Sequence, residues 1–416
     1  MLDVYASRGM SGRRETASMY KTECTRRSFF KRCAGIGVGA GALSTLAMLP
    51  SCLAPTKKRD LSDAYDALYS TAKPKTDIVS IVEIRKGNTA KAVEEAIDLL
   101  GGMSTIAKGK SSALLKPNLV SEARQMTTKV EVVEAIVRTM KRAGLDVAVA
   151  EGTAATALFN HIEGEDYRTW DSSILDGLQK KAFDDTGYTA LSNRLKVPLV
   201  NLHTGRMITH GIENSFVFDE IQLHESLHAY DLFCSVPMMK THQLATVTLS
   251  MKNLFGIIPG SVYGSVRGHV HDLAARKDKT GTDSVIVDLC RARPIDLAIV
   301  DASESMDGNG PTHGRIVKTN LIVAGTNGLA VDMISALTMG FSIDEVSTFA
   351  WAHRAGMTPG SLFDIEIRGE NISRVARTFV RPVVYPWVTV GQTWGHKTLS
   401  GIGSTGGIGG ANRVLG

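Results

Sequence analysis

The chain has 416 residues, of which 43% are hydrophobic and 21% charged, and this composition excludes a disordered or fibrous protein. Lysine and arginine total 47 against 42 acidic residues, but residues 1–56 hold eight of the basic and three of the acidic ones. The remaining chain carries 39 charges of each sign, which excludes the strongly basic surface expected of a nucleic-acid-binding protein.

The first 56 residues have the features of an export signal. Arg26 and Arg27 precede two aromatic residues and Lys31, an order similar to the twin-arginine signature read by the Tat translocase. The apolar stretch at 34–49 spans 16 residues, which is too short for a comfortable membrane span. The sequence therefore predicts a periplasmic protein that the Tat translocase exports.

The end of this leader leaves two alternatives open. Residues 49–52 (Leu-Pro-Ser-Cys) resemble a lipoprotein box, in which Cys52 would carry a lipid anchor in the membrane. The competing outcome is cleavage around residues 52–54 without a lipid. The start of translation is also open, because Met19 gives a more usual charged region than Met1.

After a linker at 57–76, strand-like and helix-like segments alternate. Strands are predicted at 78–84, 113–115, 147–150, 198–201, 232–236, 297–301 and 321–324. Helices are predicted at 89–100, from a capping box at 128–131 to Gly144, and at 328–339. This order indicates an α/β domain at 77–371 with a mainly parallel sheet and flanking helices.

Two regions depart from this alternation. Residues around 205–225 predict a smaller, irregular insertion that contains β-structure. Residues 372–416 form a C-terminal extension, and its glycine-rich tail begins at residue 400. In the last predicted helix, Asn327 reads as the cap and Asp332 as a solvated carboxylate.

Cysteine usage limits the cofactors that this chain can hold alone. Only Cys234 and Cys290 follow the leader, each within an apolar run, and no CxxC motif is present. We expect both to be buried small hydrophobic residues. An iron–sulfur cluster or a cysteine-rich zinc site made by this chain alone is excluded.

Polar residues just after apolar strands are the first site candidates, because ligands of open α/β sheets collect at the carboxyl ends of the strands. Lys116 and Asn118 follow one strand, and Thr128 stands at a helix start that suits an anion. Lys240 and His242 follow another strand and share a face of an extended segment because they are two residues apart.

Two further groups extend the candidate site. Lys252 and Asn253 lie in an apolar stretch, where a lysine needs a counter-charge or a water-filled cleft. Asp301 ends a predicted strand, and the turn at Asn309 and Gly310 brings backbone N–H groups close to a ligand. Fixed cations, an imidazole and a carboxylate together suit proton or group transfer on a small anionic molecule.

Four short motifs occur in the order typical of one family. They are Lys-Pro-Asn at 116–118, Pro-Met-Met-Lys-Thr-His at 237–242, Lys-Asn-Leu-Phe-Gly at 252–256 and Met-Asp-Gly-Asn-Gly-Pro at 306–311. Over roughly residues 78–370 the chain resembles the DUF362 family, a domain of unknown function, although Met238 stands where that family often has a lysine. The resemblance implies the domain and the location of its site. Some relatives carry ferredoxin-like cysteine motifs that this chain lacks.

Two hypotheses of different classes follow. The first is an exported enzyme with a cationic cleft for a small anionic ligand. The second is a non-catalytic periplasmic protein that binds a ligand or cofactor or helps to mature a redox complex. The candidate catalytic residues are Lys116, Lys240, His242 and Asp301; the candidate binding residues are Asn118, Thr128, Lys252, Asn253, Asn309 and Gly310. The sequence identifies no metal and no cofactor.

A distant alternative is a zinc hydrolase. His224, Glu225 and His228 form a His-Glu-x-x-His run, in which two histidines one helical turn apart would bind zinc while the glutamate activates water. The apolar strand at 232–236 follows within four residues and leaves little helix to hold a metal. A second histidine pair, at 269 and 271, would share a face of an extended segment and is a candidate metal or anion ligand.

Overall fold

The structure is a computed structural model that describes residues 60–69, 75–153, 161–162, 165–166, 169–264, 270 and 281–383. The predicted export leader, the glycine-rich tail and the histidine pair at 269 and 271 lie outside the described residues. In the described ranges, no helix combines the length and the apolar character needed to cross a membrane.

The strands of the described chain alternate with helices over most of its length. The strands are β1 (Asp77–Glu83), β2 (Ser112–Pro117), β3 (Asp146–Glu151), β4 (His161–Ile162), β5 (Glu165–Asp166), β6 (Leu199–Asn201), β7 (Met207–Gly211), β8 (Glu220–His224), β9 (Leu232–Val236), β10 (Met238–His242), β11 (Thr246–Thr248), β12 (Leu297–Asn309), β13 (His313–Gly325) and β14 (Ile365–Gly369). All seven predicted strands are therefore present, six of them with shifted ends, and β12 continues past Asp301, its predicted end, to Asn309.

The main sheet has the strand order β14-β1-β13-β12-β9-β2-β3-β6, and β10 pairs with both β12 and β11. Neighbouring strands are parallel from β12 through β9, β2 and β3 to β6, and β1 is parallel to β14, whereas β13 is antiparallel to β1 and β12. Between β2 and β3, and between β3 and β6, the chain crosses over through helices, because parallel neighbours need a long connection. The predicted α/β fold with a mainly parallel sheet is confirmed.

Helices cover both faces of this sheet. They are α1 (Ser62–Tyr69), α2 (Thr89–Asp98), α3 (Met103–Ile106), α4 (Val130–Arg142), α5 (Ser172–Thr186), α6 (Tyr188–Leu195), α7 (Ser226–Ala229), α8 (Ser250–Asn253), α9 (Gly260–Tyr263), α10 (Thr282–Ala292), α11 (Gly328–Thr338), α12 (Ser347–Arg354) and α13 (Ile372–Val375). Helix α1 lies inside the predicted linker, and its Leu68 is buried in the core.

Two hydrophobic layers lie on opposite faces of the sheet. Helices α2, α4 and α6 pack on one face, and helices α8, α10, α11 and α12 pack on the other. Successive strand residues point to opposite faces of the sheet, so Leu115 packs in the layer of the first group of helices and Leu114 in the layer of the second. Strands buried on both faces explain the continuous apolar runs in the sequence.

The predicted capping box at 128–131 is wrong. Helix α4 begins one residue later, after Lys129, which makes no side-chain capping bond. The hydroxyl of Thr128 accepts a hydrogen bond from N of Asn118 and donates one to O of Val236, so it is not available to cap the helix. The cap at Asn327 is confirmed, because its Oδ1 accepts N–H bonds from Leu329 and Ala330.

The predicted insertion around 205–225 is a two-stranded antiparallel ribbon of β7 and β8. A buried carboxylate fastens the loop between its strands: Asp288 of α10 accepts backbone N–H bonds from Phe216, Val217 and Phe218 at 2.7–3.1 Å. The ribbon is thus held by helix α10.

Cys234 and Cys290 are buried and free, as expected. Burial raises the pKa of the Cys234 and Cys290 thiols well above the ordinary value. Such thiols are inert at neutral pH, because the thiolate is the reactive form.

Candidate functional site

Polar side chains meet at the carboxyl ends of three adjacent parallel strands. Lys116 is next to last in β2, Glu151 ends β3, and β2 lies between β3 and β9. The loops that leave these strands gather at the same edge, because parallel strands place their carboxyl ends on one side of a sheet. It is the edge at which the sequence placed its candidate residues.

Lys116 forms a buried ion pair with Glu151. Nζ of Lys116 lies 2.7 Å from Oε1 of Glu151, and the two side chains are 0% and 2% exposed. Glu151 also accepts backbone N–H bonds from Leu119 and Gly152, each at 2.9 Å. These contacts compensate for the water that both charges lose on burial.

Asn253 joins Lys116 to Asn118. Its Oδ1 accepts hydrogen bonds from Nζ of Lys116 at 3.1 Å and from Nδ2 of Asn118 at 3.3 Å. Its Nδ2 donates to the backbone O of Lys116 at 3.0 Å and to Oγ of Ser235 at 3.1 Å. Two donated and two accepted bonds use the full capacity of an amide, so Asn253 holds Lys116 in one position.

Asn118 contributes an unpaired acceptor to this cluster. Its Oδ1 is buried and has no hydrogen-bond partner within the described part of the chain. Leaving a buried acceptor unpaired costs free energy. The same backbone turn is fixed by Thr128, whose hydroxyl accepts from N of Asn118 at 2.9 Å. Oδ1 of Asn118 is therefore an atom to which a bound molecule could donate.

Lys240 on β10 is fully buried near this pair. Its Nζ donates to O of Met126 at 2.7 Å. Burial lowers the pKa of Lys240 to about 7; the Glu151 carboxylate opposes this shift and the Lys116 ammonium adds to it. An amine with such a pKa can take and give a proton near neutral pH.

Asp301 is buried beside the cluster, but the backbone engages its carboxylate. Oδ2 accepts from N of Lys129 at 2.7 Å, and Oδ1 accepts from N and Oγ of Ser303 at 3.0 and 2.6 Å. Burial raises the pKa of Asp301, and these hydrogen bonds oppose the rise. The start of α4, which the sequence suggested for a ligand anion, therefore holds a carboxylate of the protein itself.

Lys252 and Asn309, two of the predicted binding residues, contact other parts of the protein. Nζ of Lys252 lies 3.8 Å from the centre of the Phe255 ring, a cation–π contact. Asn309 ends β12, and its Oδ1 accepts a hydrogen bond from N of Val383 at 3.0 Å.

The turn after β12 packs against the end of β10. A Cβ at Gly310 would overlap the backbone O of Thr241, so glycine is required for this close approach. His242 ends β10, and its Nδ1 accepts from N of Leu244 at 3.0 Å. Accepting this bond leaves Nε2 to carry the proton of a neutral ring. The turn thus supports β10, which carries Lys240 and His242.

Gly256 lies directly against the buried ion pair. A Cβ at this position would overlap both Oε1 of Glu151 and Nζ of Lys116. The backbone O of Gly256 also accepts from N of Gly152 at 3.1 Å. The close approach explains the glycine that ends the Lys-Asn-Leu-Phe-Gly motif.

The His-Glu-x-x-His run does not adopt the zincin arrangement, so that hypothesis is wrong. His224 ends strand β8, whereas His228 lies in the one-turn helix α7, so one helix does not carry both rings. Nδ1 of His224 is hydrogen-bonded to Ser226, and the ring of His228 stacks on that of His210 at 3.9 Å. In the ranges that the structure describes, no three His, Cys, Asp or Glu residues are grouped to hold a metal ion.

Sequence reasoning missed Glu151, the partner of Lys116. Glu151 directly follows the predicted strand at 147–150. The same rule that selected Lys116, a polar residue at the end of an apolar strand, applies to this position. Asp332 was also misjudged, because it is 2% exposed and not solvated.

The chain is similar to a curated protein and to a solved structure. The thylakoid-associated protein sll1697 of Synechocystis sp. is 26% identical over 276 residues, which are 66% of this chain and 77% of the relative. Among solved structures, the lactate racemase apoprotein of Thermoanaerobacterium thermosaccharolyticum aligns with a TM-score of 0.37 and 11% identity, over 64% of this chain. The chain covers 58% of the length of that racemase.

A family model also matches the chain, over residues 113–336. This range is more than half of the 416 residues and runs from the start of β2 to α11. It contains Lys116, Glu151, Lys240, Asn253 and Asp301. The chain belongs to the family described as a domain of unknown function, DUF362.

Proposed function

We propose that this DUF362 protein holds a small anionic molecule at the edge formed by Lys116, Asn118, Lys240 and Asn253, and that it acts on this molecule as an enzyme by proton or group transfer. Two lysines supply the positive charge, Oδ1 of Asn118 can accept a hydrogen bond, and Asn253 holds Lys116 in place. The Glu151 carboxylate balances one of the lysines, so a net positive charge requires protonated Lys240.

The observation that carries this proposal is the environment of Lys240. Its Nζ is fully buried, donates to the carbonyl O of Met126, and lies in the field of Lys116 and Glu151. A lysine that serves only structure is usually exposed or paired with a carboxylate. A buried amine with a pKa of about 7 has the properties of a general acid–base group.

The roles of the other residues follow from their contacts. Lys116 keeps a fixed charge beside Glu151 and would attract the anion, while Oδ1 of Asn118 would accept a hydrogen bond from it. His242 lies two residues after Lys240 on β10, so it is on the same side of that strand and is the second proton-transfer candidate. Asp301 positions the start of α4 and is a supporting residue.

The alternative is a non-catalytic protein that binds a ligand or cofactor or takes part in the maturation of a redox complex. The observation that favours it is the burial of Lys116 and Lys240, since a ligand reaches them only when the chain that covers them opens. The name of the Synechocystis relative associates that protein with a membrane, which agrees with a site of action at a membrane surface.

We also propose that the protein is exported. The twin-arginine leader would deliver the folded protein through the Tat translocase to the periplasm, with Cys52 either lipidated or removed. Mass spectrometry of the mature N-terminus distinguishes these outcomes. Replacement of Arg26 and Arg27 by lysine should keep the protein in the cytoplasm; export of this variant at the native level would contradict the assignment.

The binding site is tested with protein purified after native export. Calorimetric titration with inorganic phosphate and with malonate, followed by a turnover screen of small carboxylates and phosphate esters, compares the native chain with Lys240→Met and His242→Asn. Lys108→Met is the matched control, because Lys108 is exposed and precedes β2 at the opposite edge of the sheet.

We expect the native chain and Lys108→Met to bind one of these anions and Lys240→Met to lose at least about tenfold in affinity, the loss typical of removing one charge-assisted contact. Turnover that disappears with Lys240→Met and His242→Asn supports the enzyme. Binding without turnover supports the alternative. Binding that is equal in Lys240→Met and native protein overturns the site.

A further inference from the structure

Helix α8 carries Asn253 to Lys116, and a single buried carboxylate caps that helix. Oδ1 of Asp332 accepts from N of Ser250 at 2.7 Å, and Oδ2 accepts from N of Met251 at 2.8 Å. Both are N–H groups of the first turn, which lacks a side-chain cap of its own. The cap therefore comes from α11, which is distant in sequence.

Few groups other than these two N–H donors stabilise the Asp332 carboxylate. It is 2% exposed, and in the described chain no basic side chain forms an ion pair with it. The two N–H groups of α8 are accordingly its main compensation. Because α8 has one turn, movement of its first two residues moves Asn253 as well.

A second contact ties the same turn to the strand beside Lys116. Oγ of Ser235 donates to O of Ser250 at 3.0 Å and accepts from Nδ2 of Asn253 at 3.1 Å. Ser235 stands opposite Lys116 in the register of β2 and β9. The cap, the helix and the strand form one continuous hydrogen-bonded path.

From this path we infer that Asp332 is a positioning residue, which holds Asn253 against Lys116 through helix α8 and so sets the geometry of the anion site. The inference rests on the proposed function for its consequence in binding, but the placement of Lys116 can be tested without any ligand. Loss of the cap should free α8, displace Asn253 and expose Lys116 to reagents in the solvent.

The test compares Asp332→Asn with Asp288→Asn. Asp288 is the matched control, because it is also a buried aspartate that accepts backbone N–H bonds, but those belong to the ribbon loop at 216–218. The full chain of each variant is treated with acetic anhydride, and the rate of Lys116 acetylation is followed by mass spectrometry relative to Lys108. Titrations with inorganic phosphate and malonate follow on the same samples.

In Asp332→Asn we expect Lys116 to be acetylated about tenfold faster than in the native chain, and the affinity for whichever anion the native chain binds to fall by about the same factor. Asp288→Asn should leave both quantities within about twofold of native, as expected for a substitution outside the path. Equal acetylation of Lys116 in all three proteins overturns the inference. If acetylation rises in Asp332→Asn but the native chain binds neither anion, the positioning role stands and the proposed function fails.

Discussion

Nζ of Lys116 and Oε1 of Glu151 lie 2.7 Å apart at the buried ends of two adjacent parallel strands. The pair is surrounded by polar groups that are themselves fixed, chiefly the amide of Asn253 and the backbone N–H groups of Leu119 and Gly152. Such a pair contributes little net stability compared with a hydrophobic pair, yet removal of one partner is costly. The Lys116–Glu151 pair therefore places a charged side chain at a defined position.

Glu151→Gln should destabilise the fold by about 3–5 kcal/mol, because the buried Lys116 ammonium loses this carboxylate. The double replacement Lys116→Met with Glu151→Leu should recover most of that loss, since it removes both charges and keeps apolar volume. Urea unfolding of the native chain and the variants measures both values. A double variant as unstable as Glu151→Gln would show that the polar network, and not the single charge, is responsible.

Gly256→Ala should disrupt the same ion pair through steric overlap. Its Cβ would overlap Oε1 of Glu151 and Nζ of Lys116, so we expect a loss of roughly 2–4 kcal/mol in the free energy of unfolding. Gly177→Ala is the control: this helical glycine has no atom within 4 Å of the added Cβ, and the change should stabilise by about 0.5–1 kcal/mol. Similar effects of both changes in urea unfolding would contradict the close packing.

Lys240 should make the stability depend on pH in the alkaline range. Its pKa is lowered from 10.5 to about 7 in the folded protein, so between these values the unfolded chain binds more protons. The free energy of unfolding therefore rises as the pH increases from about 7 toward 10.5. Lys240→Met should be at least as stable as the native chain at pH 7. Between pH 7 and pH 10.5, its free energy of unfolding should rise less than that of Lys108→Met. An equal rise in both variants would refute the assignment.

The stacked rings of His210 and His228 should make the protein acid-sensitive. Burial, the His210 ring and Arg293 lower the pKa of His228 from 6.5 to about 4, and burial also lowers that of His210. The unfolded chain is protonated first, so stability is lost as the pH falls from about 6.5 toward 4. His228→Phe keeps an aromatic ring without the titration and should reduce this loss in urea unfolding measured from pH 7 to pH 4; an unchanged loss would exclude the pair as its source.

Local patterns predicted the fold and the two lysines of the site. Apolar runs of three to seven residues indicated the strands, and polar residues after them located Lys116, Asn118 and Lys240. Both patterns can be recognised from residues that are adjacent in the chain. A parallel strand that is buried on both faces is a continuous apolar run, and the polar residues that bind ligands follow its carboxyl end. The order of β and α segments then limited the topology to a parallel α/β sheet.

Only the tertiary structure decided which polar groups pair. Glu151 meets Lys116 because β3 lies beside β2, and Asp332 caps α8 because α11 packs against that helix. Sequence spacing predicted a solvated Asp332 and a capping role for Thr128. In the structure, distant segments bury Asp332, and the hydroxyl of Thr128 is hydrogen-bonded to Asn118 and Val236. The sequence by itself determined which segments form strands and which polar residues follow their apolar runs. The packing of segments far apart in the chain determined their partners, their burial and hence their charge, because these depend on the atoms that surround a group in space.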